Sequence, residues 1–488
     1  MFGHLTAHKF LFFGGWFILN LFEPSILCAQ SANKTYRLAD CIKIAQDNNP
    51  DILLSAVNVE SAQIDLQQNM LNLSPNLNGS IGQFYQSGRS IDRFTNQFVQ
   101  TTVGNSSMQL QGSWVVFSGG QLKNVVKQSK YNYKSSSLDL VQSKQNMALS
   151  VSLAYLQVMQ ARELVKSARS NSEALQQDLK RIEKLQELGA ANEGLVLSAR
   201  AQYFNARSQQ TQAENQYKNR LLNLKGLLLI PINQSFEIAE IEVTLPSLTT
   251  GIKVNSDLID SVLNKRADYQ SADYRVKAAE IGVKIAKGAF TPSLSLGGSL
   301  STIYSDNAKK ISGYTITGVQ PIGIVQGTNQ IVEAPTFNYQ AETIDFNDQL
   351  KDNFGQAFGA TLSVPIFGQL RTHSQVKRAQ LAVTQAHLNQ LRIKQNIVNE
   401  VTLAFQNFEN ASAQYDAAEQ NYEVQKRNLE FVQKRMDLGQ STIFEMQLAK
   451  NNEVSAFQSL LNAKYEATLR YLIIQTLYLN NFDALNQF

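Results

Sequence analysis

Residues 107–117 read SMQLQGSWVVF, and residues 357–367 read AFGATLSVPIF. In the first, Met108, Leu110, Gly112, Trp114 and Val116 alternate with Gln109, Gln111, Ser113 and Val115. In the second, Phe358, Ala360, Leu362 and Val364 alternate with Gly359, Thr361 and Ser363. Period-two alternation marks a strand with one apolar and one polar face. Two further segments share it. Leu294, Leu296, Gly298 and Leu300 are interleaved with serines and Gly297, and Leu77, Gly79, Ile81 and Tyr85 follow the rule more weakly. A soluble sandwich strand looks similar taken singly. Here the polar partners are small or amide residues, not Lys and Glu, which suits a wet lumen opposite lipid. Four such strands cannot close a barrel, since the smallest outer-membrane barrels use about eight. Open edges cannot face lipid. The chain must therefore oligomerise if these strands lie in a membrane; three copies supply twelve strands and a real lumen.

Each strong strand runs into a very long helical pattern. Leu175, Leu179, Ile182 and Leu185 step by three and four, as do Tyr415, Ala418, Tyr422, Gln425, Leu429, Val432 and Met436. These are coiled-coil seams. Proline supports the reading. No Pro occurs between Pro75 and Pro231 or after Pro365, so two regions of more than 100 residues are free of helix breakers. A helix over about 121–188 is on the order of 100 Å long. Gly189 and Gly439 can stop these helices in the left-handed conformation, and Asn192 and Ser441-Thr442 can cap returning ones.

The chain is duplicated. At an offset of 217, Asp51, Val59, Ala62, Ile64, Pro75 and Leu77 meet Asp268, Val276, Ala279, Ile281, Pro292 and Leu294. At 250, Leu153-Ala154-Tyr155 meets Leu403-Ala404-Phe405, and Leu188-Gly189 meets Leu438-Gly439. The expected fold is mainly α with β, in an internal two-fold repeat. Residues 30–252 hold a helix (about 37–72), a β-hairpin (75–118) and a long helical hairpin (121–228). Residues 253–488 hold a helix (about 253–288), a β-hairpin (292–367) and a long helical hairpin (370–479). The change of offset places extra residues around 305–355; the segment 301–355 is read as a surface loop, with an extracellular loop that plugs or narrows the outer mouth as the functional alternative.

Composition agrees. The 41 Asn and 49 Gln outnumber the 44 basic and 40 acidic side chains together. Mean hydropathy is −0.23, and one apolar run stands out, which disfavours a polytopic helical membrane protein. A net charge of +4 is too small a surplus to indicate a nucleic-acid binder. Residues 1–29 read as an export signal: Phe10 to Phe22 is apolar but too short to span a bilayer. A membrane anchor is the alternative, and Ile26 and Leu27 before Cys28 argue against lipidation. Removal of Cys28 leaves Cys41 alone, so no intrachain disulfide can form.

At this point the chain resembles the TolC-like outer-membrane efflux protein family. The residues are Leu38-Ala39-Asp40-Cys41-Ile42 through Asn48-Asn49-Pro50, Pro75 and Pro292, Val116-Phe117-Ser118-Gly119-Gly120, Val364-Pro365-Ile366-Phe367-Gly368, and the tips Leu188, Gly189, Leu438 and Gly439. Gly88-Arg89-Ser90-Ile91-Asp92 in the first loop is similar to a subset of that family. The resemblance implies a homotrimer in which each protomer gives four strands to a shared 12-stranded barrel in outer-membrane lipid. It also implies a coiled-coil α-barrel through the periplasm and a small equatorial domain from about 229–255 and the C-terminus. The tips would dock a periplasmic adaptor (membrane fusion) protein attached to an inner-membrane pump of RND, ABC or MFS type. The family's aperture carboxylate falls on Glu445. Its next carboxylate falls on Leu448, and its constriction contacts fall on Leu195, Ser441 and Met436, so that lock is not reproduced. Apolar contacts with a Glu445 ring would hold the gate; alternatively Glu445 is a helix-start residue favoured by the dipole.

His373 and His387 lie 14 apart without acidic or Cys partners at ligand spacing, and no HExxH, Walker A or GxSxG motif occurs. No catalytic site, metal or cofactor is expected. The reading is a passive duct for small toxic molecules in a tripartite efflux pump. The alternatives are the exit duct of a type I protein secretion system and a trimeric structural coiled-coil surface protein.

Overall fold

The computed structural model describes residues 35–91, 98–239 and 255–478. The export-signal segment 1–29, Asp92 and most of the expected equatorial segment lie outside the described residues. The first half runs β1 (Thr35–Tyr36), α1 (Leu38–Asn48), α2 (Pro50–Leu71), β2 (Asn76–Ile91), β3 (Phe98–Ser118), α3 (Gln121–Glu187), α4 (Glu193–Leu228) and β4 (Glu237–Ile238). The second runs α5 (Ser256–Lys265), α6 (Ala267–Gly288), β5 (Ser293–Ser305), β6 (Lys309–Ile324), β7 (Ile331–Thr343), α7 (Phe346–Asp352), β8 (Gly355–Ser363), α8 (Arg371–Asp437) and α9 (Ile443–Ile473), closing on a π-helical turn at Ile474–Tyr478.

The two long helices α3 and α8 each have 67 residues, about 100 Å at 1.5 Å per residue. Each is entered through a left-handed turn: Gly119 and Gly120 have φ of 61° and 74°, and their counterparts Gln369 and Leu370 have 51° and 58°. The expected single helices 37–72 and 253–288 are each broken in two. Asn49 is extended, accepts the Asp51 N–H at 2.9 Å and places Pro50 at the first helical position. The second break has no proline. Arg266 is extended instead, and its buried guanidinium reaches Asp268 at 2.6 Å and Glu400 at 3.4 Å.

A core forms in each half where the short helices cross the long one, and the first also takes in Leu461, Tyr465 and Leu472 of α9. Leu38, Cys41 and Ala45 on α1 pack against Val151, Tyr155 and Val158 on α3 and Leu224 on α4. In the second half Val262 and Leu263 pack on Ile397, Val401 and Ala404 of α8, with Ile474 and Tyr478 from the π-helical turn. Burial pushes the Cys41 thiol up to about 12, so it is an inert core group.

The sheet order is β2-β3-β5-β8, antiparallel throughout, with β2 and β8 as edges. One departure from plain alternation stands in β3: the register shifts between Val115 and Phe117. The bulged residue is Val116, so Phe117, not Val116, shares the face of Trp114. Trp114 itself donates its indole N–H to the Leu73 carbonyl at 2.9 Å.

The stretch 305–355 is not a loop. β6 and β7 form a separate antiparallel ribbon, and α7 then packs on the upper part of β5. Gln349 Nε2 donates to the Ser305 carbonyl at 3.0 Å and its Oε1 accepts the Ser305 N–H at 2.9 Å. This side-chain amide thus replaces a strand peptide above the point where β8 ends. Tyr304 and Phe346 meet edge to face at 5.0 Å, and Ile344 N–H donates to the Ala308 carbonyl at 3.0 Å, closing the ribbon's base.

Candidate conduit: a two-faced sheet and paired helical tips

The registers sort the sheet into two faces. Leu77, Gly79 and Ile81 pair with Gly112, Leu110 and Met108; Leu110 pairs with Leu300, Trp114 with Leu296, and Leu294 with Leu362. These share one face, and Leu77, Ile81, Phe358 and Leu362 are largely exposed on it. The opposite face carries Asn76, Asn78 and Ser80 beside Ser113, Gln111 and Gln109, then Ser295, Ser299 and Thr361. Along its middle that face is neutral and hydrogen-bonding, as a water-filled lumen requires, with Val115 at one end and Phe84 and Ile303 at the other as its apolar members. Both edge strands have unpaired outer sides, and β2 runs opposite to β8.

The helical hairpins end in two copies of one motif. Gly189 has φ 73° and Gly439 has φ 71°. Gly189 N–H donates to Gln186 O at 2.9 Å and Ala190 N–H to Leu185 O at 2.8 Å; Gly439 N–H donates to Met436 O at 3.0 Å and Gln440 N–H to Arg435 O at 2.8 Å. This is the Schellman pattern that satisfies the last helical carbonyls. Asn192 then caps α4 by accepting the Leu195 N–H at 2.9 Å, and Thr442 caps α9 by accepting the Glu445 N–H at 3.2 Å. The residue before each glycine, Leu188 or Leu438, is 73% exposed.

The expected gate residues do not converge within one chain. Leu195 is half-buried against the cluster of Leu179, Ile182, Val196 and Ala199 in its own hairpin. Met436 is half-buried near the second tip, and Leu448 is exposed on α9. Glu445 is exposed, but its carboxylate completes a capping box: it accepts the Thr442 N–H at 3.1 Å and the Ser441 hydroxyl. Those bonds, helped by Arg435, hold its pKa below the usual carboxylate value. Ties between the hairpins went unread in the sequence, among them Gln160 Nε2 donating to Asn462 Oδ1 at 2.9 Å. Lys450 Nζ lies 3.1 Å from Asp178, and Gln202 donates to Gln447. Among the described amide side chains, only Asn49, Gln210, Gln349 and Gln475 are buried, so the amide surplus faces outward from the chain.

Among the described residues no helix is long and apolar enough to cross a membrane, and no cluster of His, Cys, Asp and Glu is arranged to hold a metal. The family described as outer membrane efflux protein matches residues 41–228 and 258–477. The outer membrane protein TolC of Vibrio cholerae is 24% identical over 462 residues, 93% of either protein. The crystal structure of CusC has the same fold, with a TM-score of 0.70, 18% identity and 92% of each chain covered. That of the Campylobacter jejuni CmeC outer membrane channel has a TM-score of 0.68 at 20% identity, covering 91% of this chain and 86% of that one. With its two-faced sheet, 100-Å helices and matched tips, the chain belongs to the outer membrane efflux protein family, whose members have the channel architecture of TolC and reside in the outer membrane.

Proposed function

We propose that this chain is one stave of a homotrimeric exit duct in a tripartite efflux pump. The observation that carries the reading is the sheet: four antiparallel strands, apolar on one face and small-polar on the other, with both edges open. Two copies would give eight strands, whose interior just accommodates side chains. Three give twelve and leave a lumen. The long helices would extend that lumen through the periplasm. Their neutral amide, Ser and Ala surfaces neither hold a solute tightly nor impose a strong field. Energy comes from a partner, an inner-membrane pump reached through a periplasmic adaptor that docks on Leu188-Gly189 and Leu438-Gly439; the equal exposure of both leucines supports that surface.

At the aperture we place Glu445, Leu448, Met436 and Leu195. The depressed pKa of Glu445 supports a ring that stays ionised at neutral pH. In planar bilayers the purified protein conducts weakly, and Glu445→Ala, which removes both ring charge and capping box, enlarges the conductance. A preparation that forms no pore would instead indicate a structural coiled-coil protein. Deletion sensitises cells to dyes, bile salts or antibiotics; unchanged sensitivity with loss of a secreted protein would move the assignment to type I secretion.

A further inference from the structure

The β6–β7 ribbon is built to present one apolar face. Its register shifts fall between Ile311 and Gly313, Ile316 and Gly318, and Pro321 and Gly323. Ser312, Thr317 and Ile322 are therefore bulged, at intervals of five. Plain alternation would scatter the apolar residues of β6 over both faces. With a bulge every fifth residue, Ile311, Tyr314, Ile316, Val319 and Ile324 fall on one side, interrupted by the pair of Pro321 and Glu333 and bounded at the base by Lys309 opposite Thr343. Their partners on β7 are Ala341, Tyr339, Phe337, Pro335 and Ile331, also on that side. Tyr314 and Phe337 meet edge to face at 5.2 Å. The other side carries Thr315 opposite Asn338, Lys310 opposite Glu342 and Gly318 opposite Thr336.

No described residue covers the apolar side. Exposure runs from 42% at Phe337 to 67% at Ile324. The large side chains there leave about 100 Å² each in water, on the order of 800 Å² together. That exceeds the largest patch of an ordinary monomer, roughly 300–600 Å², and matches one partner's share of a standard interface. A two-stranded ribbon is marginal alone, so a partner is part of its stability. Lipid does not fit as that partner. β5 already supplies 13 residues, more than the 9–11 that cross the bilayer, and the ribbon begins beyond its outer end. The ribbon's charges, Lys309 and Lys310 against Glu333 and Glu342, cancel, so it offers no field to steer a charged ligand. Its base is fixed by α7 beside β8, the edge strand on which the next copy must pair.

We propose that the apolar face of the β6–β7 ribbon is an interface between copies of this chain, so that the ribbons join into a collar around the outer mouth of the duct. The proposal rests on the trimeric reading above. A photo-crosslinking benzoylphenylalanine is placed at Ile316 or Tyr339 on the apolar side, and at Thr315 or Asn338 on the polar side, of the full chain in outer-membrane vesicles. Irradiation is expected to give chain-to-chain adducts from the first pair and none from the second. As a second measure, Ile316→Cys should react with a membrane-impermeant maleimide about tenfold more slowly than Thr315→Cys. Native mass measurement separates the failures. If the protein is oligomeric yet Ile316 gives no chain-to-chain adduct, or gives adducts with lipid or another polypeptide, the collar is overturned and the duct stands. If the protein is a single chain, both fall.

Discussion

Lys450 on α9 reaches back to Asp178 on α3, its Nζ 3.1 Å from the carboxylate, and so ties the second tip to the first. The duplication makes this contact informative. The first-half counterpart of Lys450 is Arg200, which pairs inside its own hairpin with Glu183 at 2.8 Å. The second-half counterpart of Glu183 is Gln433. Lys450, lacking an internal partner, crosses to the other hairpin.

That coupling is modest and local. Lys450 is 22% exposed but Asp178 is 51% exposed, so water screens the pair. A double-mutant cycle of Lys450→Ala and Asp178→Ala, read by hydrogen exchange of the amides near both tips, is expected to give a coupling of about 0.5–1 kcal/mol that fades with salt. Strictly additive exchange rates would show that the tips open independently.

The strand-to-helix turns give a prediction of opposite sign in the two halves. Gln369 and Leu370 hold left-handed conformations without being glycine, each at a cost of about 1 kcal/mol. Leu370 is largely exposed. Leu370→Gly should therefore stabilise by roughly that amount, read as a rise in the temperature at which helical circular dichroism is lost. Gly119→Ala should do the reverse and cost more. A Cβ there would overlap Thr291 Oγ1 and stand 2.5 Å from the Gly288 carbonyl.

Tyr155 joins the first-half core to the chain's two-stranded parallel pair. Its hydroxyl donates to Tyr36 O at 3.2 Å and to Ala239 O at 3.1 Å. Burial raises its pKa, so it stays a donor. Tyr155→Phe leaves both carbonyls without that donor and is expected to cost about 1–3 kcal/mol locally. The readout is the Ala239 N–H, which donates to Tyr36 O at 2.9 Å and should exchange roughly tenfold faster. An unchanged rate would mean that β1 and β4 hold without the tyrosine.

These sites also show what the sequence made legible. Strand faces, long helices and tips follow from periodicity and glycine, and the tips recur with matching bonds. The β6–β7 ribbon was hidden because its bulges change the period: apolar residues spaced three, two and three resemble neither strand nor helix, and Pro321 and Pro335 read as loop. The break at Arg266 was hidden because a buried ion pair, not a proline, makes it. The gate stayed illegible for another reason. Leu195 packs in its own hairpin's core and Glu445 caps its own helix, so within one chain both residues are occupied locally and do not converge.

Glu445 gives the sharpest test of pH dependence. In the folded tip its carboxylate is held first by the Ser441 hydroxyl, next by the Thr442 N–H, and also by the charge of Arg435. All three favour the ionised form, so its folded pKa lies below the ordinary 4.5. A group with a depressed folded pKa stabilises above its unfolded value, and that contribution is lost as pH falls through the folded one. At pH 7 the Thr442 N–H and its neighbours in the second tip should exchange faster in Glu445→Gln than in the native chain. The difference should shrink below pH 4.5 and vanish once the native carboxylate is protonated. The first tip, capped by the neutral Asn192, should show no such dependence within the same protein. If both tips loosen together as pH falls, the cause is a global change and the capping box is not the acid-sensitive element.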